Sequence, residues 1–342
     1  MGWNYVAEPC GRRRQGGETG ASATAAAAAA AAVACPAPIR LPHWDCSGGA
    51  GAGSLAGAVT SDVVTAVLRS GWVVLDGVLG PPTALKLRAE IDSLRSTGAL
   101  RPNQTAFGAP AVRYTKPHVY EYDLHAMESE PEVAARLPEF GRLFEHVATV
   151  LVDRLNALLP GTVRLHRGRR GVAVKLQYND GGGGCFPLHY DNPAPPNKRV
   201  LTCLVYLNPD WVEGDGGELQ VVPFCGDAIE ISPLLDRVVL FRSDRILHRV
   251  LPAARPRYCF TVWLDGDCAD DVGDGYALGA LLTEFRRSGG GNGNAVAGLA
   301  TKLRQMPMQR LLSRSVYHDE YERSLVECQG AGAPCMVDQH RG

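Results

Sequence analysis

From Gly171 to Asp265 the period of the chain changes to two, in seven short strand-like runs. In the first, Gly171 to Tyr178, the residues Val172, Val174, Leu176 and Tyr178 share one face of an extended chain. In Val200 to Leu207, Thr202, Leu204 and Tyr206 do the same, and further runs follow at Glu218–Pro223, Ala228–Ile231, Arg237–Phe241, Ile246–Leu251 and Arg257–Leu264. The stretch before them reads as helical. Ser61 can cap a helix carrying Val63, Val64, Val67 and Leu68 that stops at Gly71, and Trp72–Leu75 is a compact strand. A second helix after Pro81 and Pro82 carries Leu87, Ile91 and Leu94; a third, about Glu139 to Leu159, carries Phe140, Phe144, Val147, Leu151 and Leu155. Many brief strands after a helical lead-in predict an α+β domain, a double-stranded β-helix (jelly roll) with flanking N-terminal helices.

The expected domain boundaries follow composition. Residues 1–56, with Arg12–Arg14, an alanine run from Ala25 to Ala32 and Gly/Ala-rich sequence after Gly48, read as a low-complexity, disordered extension. Leader-like features are opposed by Glu8, Glu18 and an alanine rather than leucine run, which is also too weakly apolar to span a bilayer. A single domain is expected over 57–268, with its jelly-roll core at 171–265, and a helical, partly loose extension over 269–342, its last fifteen or so residues unstructured. The run Gly181–Gly184 lacks the Lys-Ser/Thr of a phosphate loop and is expected to be a hairpin turn. A formal charge of −1 gives no basic excess, so neither nucleic acid nor a membrane is an expected partner, and a monomer is expected. The ten cysteines form no C-x-x-C pair; with Cys203 and Cys259 inside apolar strands, they suggest a reducing compartment, cytosol or nucleus.

His189 and Asp191 stand two apart, so on a strand both side chains point to one face while Tyr190 points away. His248, on a later strand, can complete a three-ligand face. Two neutral imidazoles and one carboxylate suit Fe(II) and leave three octahedral positions open. Arg257, nine residues after His248, supplies a planar fork able to take a carboxylate through two parallel hydrogen bonds. Any single histidine is more often a surface residue than a ligand. The conjunction of pair, later histidine and arginine on strand-like segments points to an iron and 2-oxoglutarate site.

The residues around this constellation sharpen it. His189–Pro193, Thr202–Trp211, Gly216–Leu219, Asp236–Phe241 and Arg257–Trp263 resemble the corresponding segments of the oxygen-sensing, hypoxia-inducible-factor type prolyl 4-hydroxylases, over roughly Asp62 to Asp265. The resemblance implies that His189, Asp191 and His248 hold the iron and that Arg257 binds the C5 carboxylate of 2-oxoglutarate. Tyr206 would bond the same carboxylate, Thr261 would share the inward face with Arg257, and Tyr178 would line the cosubstrate pocket. Arg199 matches an arginine near the peptide groove, and Arg242, which stands where a tryptophan would be expected, is also placed near substrate. Fe(II), 2-oxoglutarate and O2, with ascorbate as reductant, are the implied cofactors, and a proline-containing protein the implied partner. Arginine rather than lysine as the anchor sets the chain apart from secretory collagen-type enzymes; retention of Asp191 sets it apart from halogenases. The connection from Asp191 to Thr202 is one residue longer than in the animal enzymes, and Arg249 replaces a usual glutamate, which leaves substrate identity open. Two alternatives stand at this point: a 2-oxoglutarate oxygenase acting on another side chain or a small molecule, and a non-catalytic jelly roll with a structural metal.

Overall fold

The alternation read from the sequence becomes two facing β-sheets enclosed by helices. The structure, a computed structural model, describes residues 39–40, 53–107, 112–268, 274–287, 293–330 and 333–341. The larger sheet runs in the order β1 (Ile39–Arg40), β2 (Trp72–Asp76), β11 (Arg237–Arg242), β8 (Arg199–Tyr206), β13 (Arg257–Cys268), β6 (Val172–Asn179), β4 (Val112–Asp123) and β3 (Arg101–Phe107), with β5 (Val163–Leu165) beside β13. The smaller runs β10 (Ile229–Ile231), β9 (Leu219–Val222), β12 (Leu247–Val250) and β7 (Phe186–His189). All pairings are antiparallel except β1 with β2.

Side-chain alternation sorts the core into three layers. Trp72, Val74, Tyr206, Phe241 and Cys259 from the larger sheet meet Leu219, Val221 and Val250 from the smaller, forming the layer between the sheets. The opposite face of the larger sheet, including Val174, Leu176, Val205, Phe260 and Val262, packs against the N-terminal helices. These are α1 (Leu55–Ala58), α2 (Ser61–Ser70), α3 (Pro81–Ser96), α4 (Pro131–Ala134), α5 (Pro138–His146) and α6 (Val152–Leu158); one π-helical turn, Val147–Leu151, joins the last two. The outer face of the smaller sheet carries Leu188, Tyr190, Val222 and Leu247, covered by Leu281, Leu303, Met308, Tyr317 and Tyr321 of the C-terminal segment. That segment holds α7 (Asp274–Arg287), α8 (Gly293–Arg304), α9 (Gln309–Val316), α10 (His318–Gln329) and α11 (Ala333–Arg341).

Several expectations need correction. Leu55, Ala56 and Ala58 are buried, so the folded chain starts before residue 57, and Ile39–Arg40 of the expected disordered extension pairs with Leu75–Asp76. The rest of that extension lies outside the described residues. Thr60, not Ser61, caps α2, its hydroxyl accepting from the Val63 amide at 3.3 Å. Gly181–Gly184 does not close a hairpin, because it carries the chain from β6 in one sheet to β7 in the other. Of the last fifteen residues, those described are helical rather than loose: α11 buries Ala333 and Met336. Cys185, just before β7, is bonded to Cys328 on α10, a pairing across 143 residues that spacing alone gave no sign of. Among the described residues no helix is long and apolar enough to cross a membrane.

The β3–β4 hairpin, absent from the period-two reading, brings Lys116 against the smaller sheet. Its ammonium donates to Asn103 Oδ1 at 2.9 Å and lies 4.6 Å from the Phe186 ring centroid. Burial, opposed by Glu121, pulls its pKa from 10.5 to about 8. Between those values the unfolded chain binds more protons than the folded one, so this lysine makes stability rise with pH across that window. Relative to Lys116→Met, the wild type is therefore expected to gain up to ~3 kcal/mol between pH 7.5 and 10.5. Urea unfolding of both proteins at the two pH values checks this, and a constant difference would contradict it.

Candidate metal centre

His189 ends β7 and His248 lies on β12, and the two are register partners across the antiparallel ladder. Asp191 lies two residues beyond the end of β7, and the three side chains converge. His189 Nε2 is 3.5 Å from Asp191 Oδ1, His248 Nε2 is 3.9 Å from Asp191 Oδ2, and the ligand atoms all lie within 4.8 Å of one another. Tyr190 points outward, as alternation requires, and its hydroxyl meets Ser313 Oγ at 2.6 Å beneath α9.

The surroundings orient each donor. His189 Nδ1 sits 2.7 Å from the Pro187 carbonyl and His248 Nδ1 3.1 Å from that of Ile246. Carbonyls only accept, so both Nδ1 atoms carry hydrogen and both Nε2 lone pairs face the centre. Burial and the His189 charge hold the His248 imidazole pKa down, to about 4, against the pull of Asp191. The buried Asp191 carboxyl is pushed up by desolvation, but His248, His189 and Thr202 together bring it well below the usual carboxylate range. Thr202 donates to Asp191 Oδ2 at 2.7 Å and is itself 2.8 Å from Ser243 Oγ. At neutral pH His248 is thus neutral and Asp191 ionised, the forms in which an imidazole and a carboxyl ligate a divalent metal.

Arg257, 4% exposed, lines the same cavity as the three candidate ligands, along with Thr261, Gln177 and Trp263. Its Nε donates to the Gly217 carbonyl at 2.8 Å and its Nη1 approaches Cys259 Sγ at 3.1 Å. Among the described residues its Nη2 has no hydrogen-bond partner, nor does the buried Tyr206 hydroxyl, whose ring lies 5.1 Å from the guanidinium. An orphaned buried donor costs about 1–3 kcal/mol, more when charged. An incoming carboxylate would satisfy both, so the residues fit a dicarboxylic cosubstrate alongside the metal.

Tyr178 does not belong to this cavity. On β6 it shares the face of Val172, Val174 and Leu176, which packs on the helices, and its ring lies 4.9 Å from that of Tyr258 and 5.7 Å from the Arg95 guanidinium. Gln177, one position earlier, takes the inward place and accepts from Cys259 Sγ at 3.3 Å. Arg199 stands at the cavity's edge, its guanidinium 4.2 Å from the Trp263 ring and its Nη1 donating to the Asp191 carbonyl at 3.3 Å. Arg242 is held elsewhere: it is buried in a two-bond pair with Asp244, at 3.1 and 3.0 Å, and lines a neighbouring cavity. Thr202, Ser243, Gly217 and Trp263 received no role in the sequence reading. For Thr202 and Trp263 a signal existed, since each shares strand parity with an assigned inward residue, Tyr206 or Arg257; Ser243 and Gly217 act from turns, which period-two reasoning does not reach.

Comparison with known proteins agrees with this geometry. Residues 174–265 match the model of the 2OG-Fe(II) oxygenase superfamily. A crystal structure of a prolyl 4-hydroxylase from Phytophthora capsici is 34% identical, with a TM-score of 0.65, over 84% of this chain and 88% of that one. The human prolyl hydroxylase EGLN3 is 28% identical over 204 residues, 59% of this chain and 81% of its own. A hypoxia-inducible factor prolyl hydroxylase of Caenorhabditis elegans is 27% identical over 215 residues, 60% of this chain but only 28% of the worm protein's length.

Proposed function

The chain belongs to the prolyl 4-hydroxylases of the 2OG-Fe(II) oxygenase superfamily, and from that premise we propose that it hydroxylates C4 of a proline in a protein substrate, releasing succinate and CO2. The observation that carries this is the convergence of His189, Asp191 and His248 on one cavity that the buried Arg257 also lines, its Nη2 unpartnered among the described residues and the Tyr206 ring 5.1 Å from its guanidinium. In this reading the two facing sheets form a double-stranded β-helix whose mouth is the catalytic centre. His189, Asp191 and His248 hold Fe(II), and Arg257 with Tyr206 takes the C5 carboxylate of 2-oxoglutarate. Ferrous iron and 2-oxoglutarate supply the oxidative decarboxylation that delivers one oxygen atom of O2 to the substrate; ascorbate serves as reductant. The protein orients the parts and keeps the cavity dry. Thr202 fixes the carboxylate of Asp191, and Thr261 shares the inward face of β13 with Arg257.

A cavity of about 510 Å³ beside His189, bordered by Lys116, Phe186, Pro187 and Arg314, is where the substrate proline would enter. The enzyme is taken to act as a monomer in cytosol or nucleus, a setting supported by arginine as the cosubstrate anchor and opposed by the Cys185–Cys328 bond.

Gly217 tests the anchor without touching the metal. Its φ is +78°, and an added Cβ would lie 2.7 Å from Arg257 Cδ. Gly217→Ala is expected to lower kcat/KM for 2-oxoglutarate by roughly 10- to 100-fold through displacement of the guanidinium, while Fe(II) affinity measured by calorimetry stays within a few-fold. Equal losses of both would contradict the division of labour proposed. For the reaction itself, succinate release by the Fe(II) enzyme is measured with proline-containing and proline-free peptides. Stimulation confined to peptides with proline, with hydroxyproline in the product, is expected; stimulation by proline-free substrates alone would favour an oxygenase of another specificity.

A further inference from the structure

The two histidines of the metal centre are not held equally by the smaller sheet. His248 lies on β12, between β7 and β9, and its side chain is 5% exposed. His189 ends β7, a four-residue strand at the sheet's edge, and its side chain is 36% exposed. The chain enters β7 from Gly181–Gly184, with φ of +86° at Gly181 and +89° at Gly183, a run that restrains the strand's position little. One turn of α10 supplies the missing hold. Ser324, Glu327 and Cys328 are spaced i, i+3 and i+4, so they share one face of the helix. The buried Ser324 hydroxyl donates to the Tyr321 carbonyl at 2.8 Å, which leaves its oxygen to accept from the Leu188 amide at 3.0 Å. Cys328 is bonded to Cys185, the residue before β7. Glu327 accepts from Arg249 Nη1 at 2.8 Å, and Arg249 Nε donates to Gln220 on β9, also at 2.8 Å. Leu188 and Arg249 each adjoin a histidine of the centre, so the face of α10 grips both ligand-bearing strands. The ion pair is partly exposed and is the weakest of the three contacts.

We propose, resting on the metal-centre reading above, that α10 braces this centre: Ser324, Glu327 and Cys328 are positioning residues that keep His189 in register with His248, and opening of the Cys185–Cys328 bond releases β7 and weakens Fe(II) binding. The opening is a thiol–disulfide exchange with a dithiol reductant. One thiolate of the reductant attacks a protein sulfur, the S–S bond breaks and a mixed disulfide forms; the second thiol then displaces the protein sulfur. Cys185 and Cys328 thereby gain two electrons and two protons and become thiols, and the reductant leaves as a cyclic disulfide. Both protein sulfurs belong to buried residues, so the exchange passes through local opening of the helix from the strand. With the bond open, the Leu188–Ser324 hydrogen bond and the Arg249–Glu327 pair remain, which makes the brace weaker rather than absent.

The test uses the full chain, metal-free and without oxygen, in three forms: oxidised, reduced by a dithiol that is then removed, and carrying Cys185→Ser with Cys328→Ser. Calorimetric titration with Fe(II) is expected to show about a tenfold loss of affinity in the reduced and double-serine forms, the size of effect that loss of an outer partner of a metal ligand has. Ser324→Ala in the oxidised protein is expected to lose about threefold, as for one hydrogen bond. Reoxidation should restore the wild type, and the double-serine form should not respond to the dithiol. Hydrogen exchange gives a second readout that needs no metal. On reduction the amides of Phe186, Leu188 and His189 are expected to exchange faster while those of β8 and β13 keep their protection, a pattern that a bond stabilising the whole fold would not give. Equal Fe(II) affinity in the three forms, or exchange quickened alike in every strand, would overturn the proposal. Oxidised protein that binds no Fe(II), but whose β7 exchange still responds to the dithiol, would keep the brace on β7 and remove the metal reading instead.

Discussion

His248→Ala is expected to leave a folded protein that neither retains Fe(II) nor turns over 2-oxoglutarate. His248 sits on β12 between β7 and β9, 4% exposed, with its ring 4.8 Å from that of Phe241. The ladder is made by backbone groups, which alanine keeps, so the sheet survives the truncation. The metal does not, because only Asp191 and His189 would remain of the three-donor face. Loss of a mere outer partner of a metal ligand costs about 10- to 100-fold in affinity or activity, and loss of a ligand itself should exceed that. Calorimetric titration with Fe(II), made without oxygen, reads the affinity, and circular dichroism checks the fold. Metal affinity within a few-fold of wild type would show that the three residues are not the metal centre.

Arg257→Ala separates the two halves of the site. The guanidinium is buried, tied to Gly217 and Cys259, with Nη2 unpartnered. Removing the charged partner of a buried carboxylate costs about 2–5 kcal/mol, so 2-oxoglutarate affinity is expected to fall by ~100-fold or more with Fe(II) binding retained. Arg257→Lys restores the charge without the planar fork and is expected to recover only part of the loss. Titration of 2-oxoglutarate into the metal-loaded variants measures both. A change of less than threefold in Arg257→Ala would move the cosubstrate's far carboxylate to some other residue.

How far the sequence carried this account depended on where each residue lies in the pleat. Strands β6, β8, β11 and β13 were readable because each buries two different faces with regular alternation, and that parity put His189 with Asp191 and Arg257 with Thr261 on common sides. The same parity contradicts Tyr178: grouped with Val172, Val174 and Leu176, it had to share their helix-packed side, and the family resemblance drew it to the wrong one. The β3–β4 hairpin carries no period-two signal, because its exposed and buried positions do not alternate cleanly. Arg242 illustrates another limit. A substitution of arginine for tryptophan announces new chemistry, but only the fold shows that Asp244, two residues on, absorbs it. The Cys185–Cys328 pairing and the capping of the Asp191 carboxylate by Thr202 likewise depend on contacts between distant elements.

The most direct test of the central claim is a single turnover under 18O2 with a proline-containing peptide that stimulates the Fe(II) enzyme, read by mass spectrometry of both products. One labelled oxygen in hydroxyproline and one in succinate is the predicted result, since the two atoms of O2 part between substrate and cosubstrate. Labelled succinate with an unmodified proline would contradict prolyl hydroxylation, and no label in either product would contradict the iron and 2-oxoglutarate site itself.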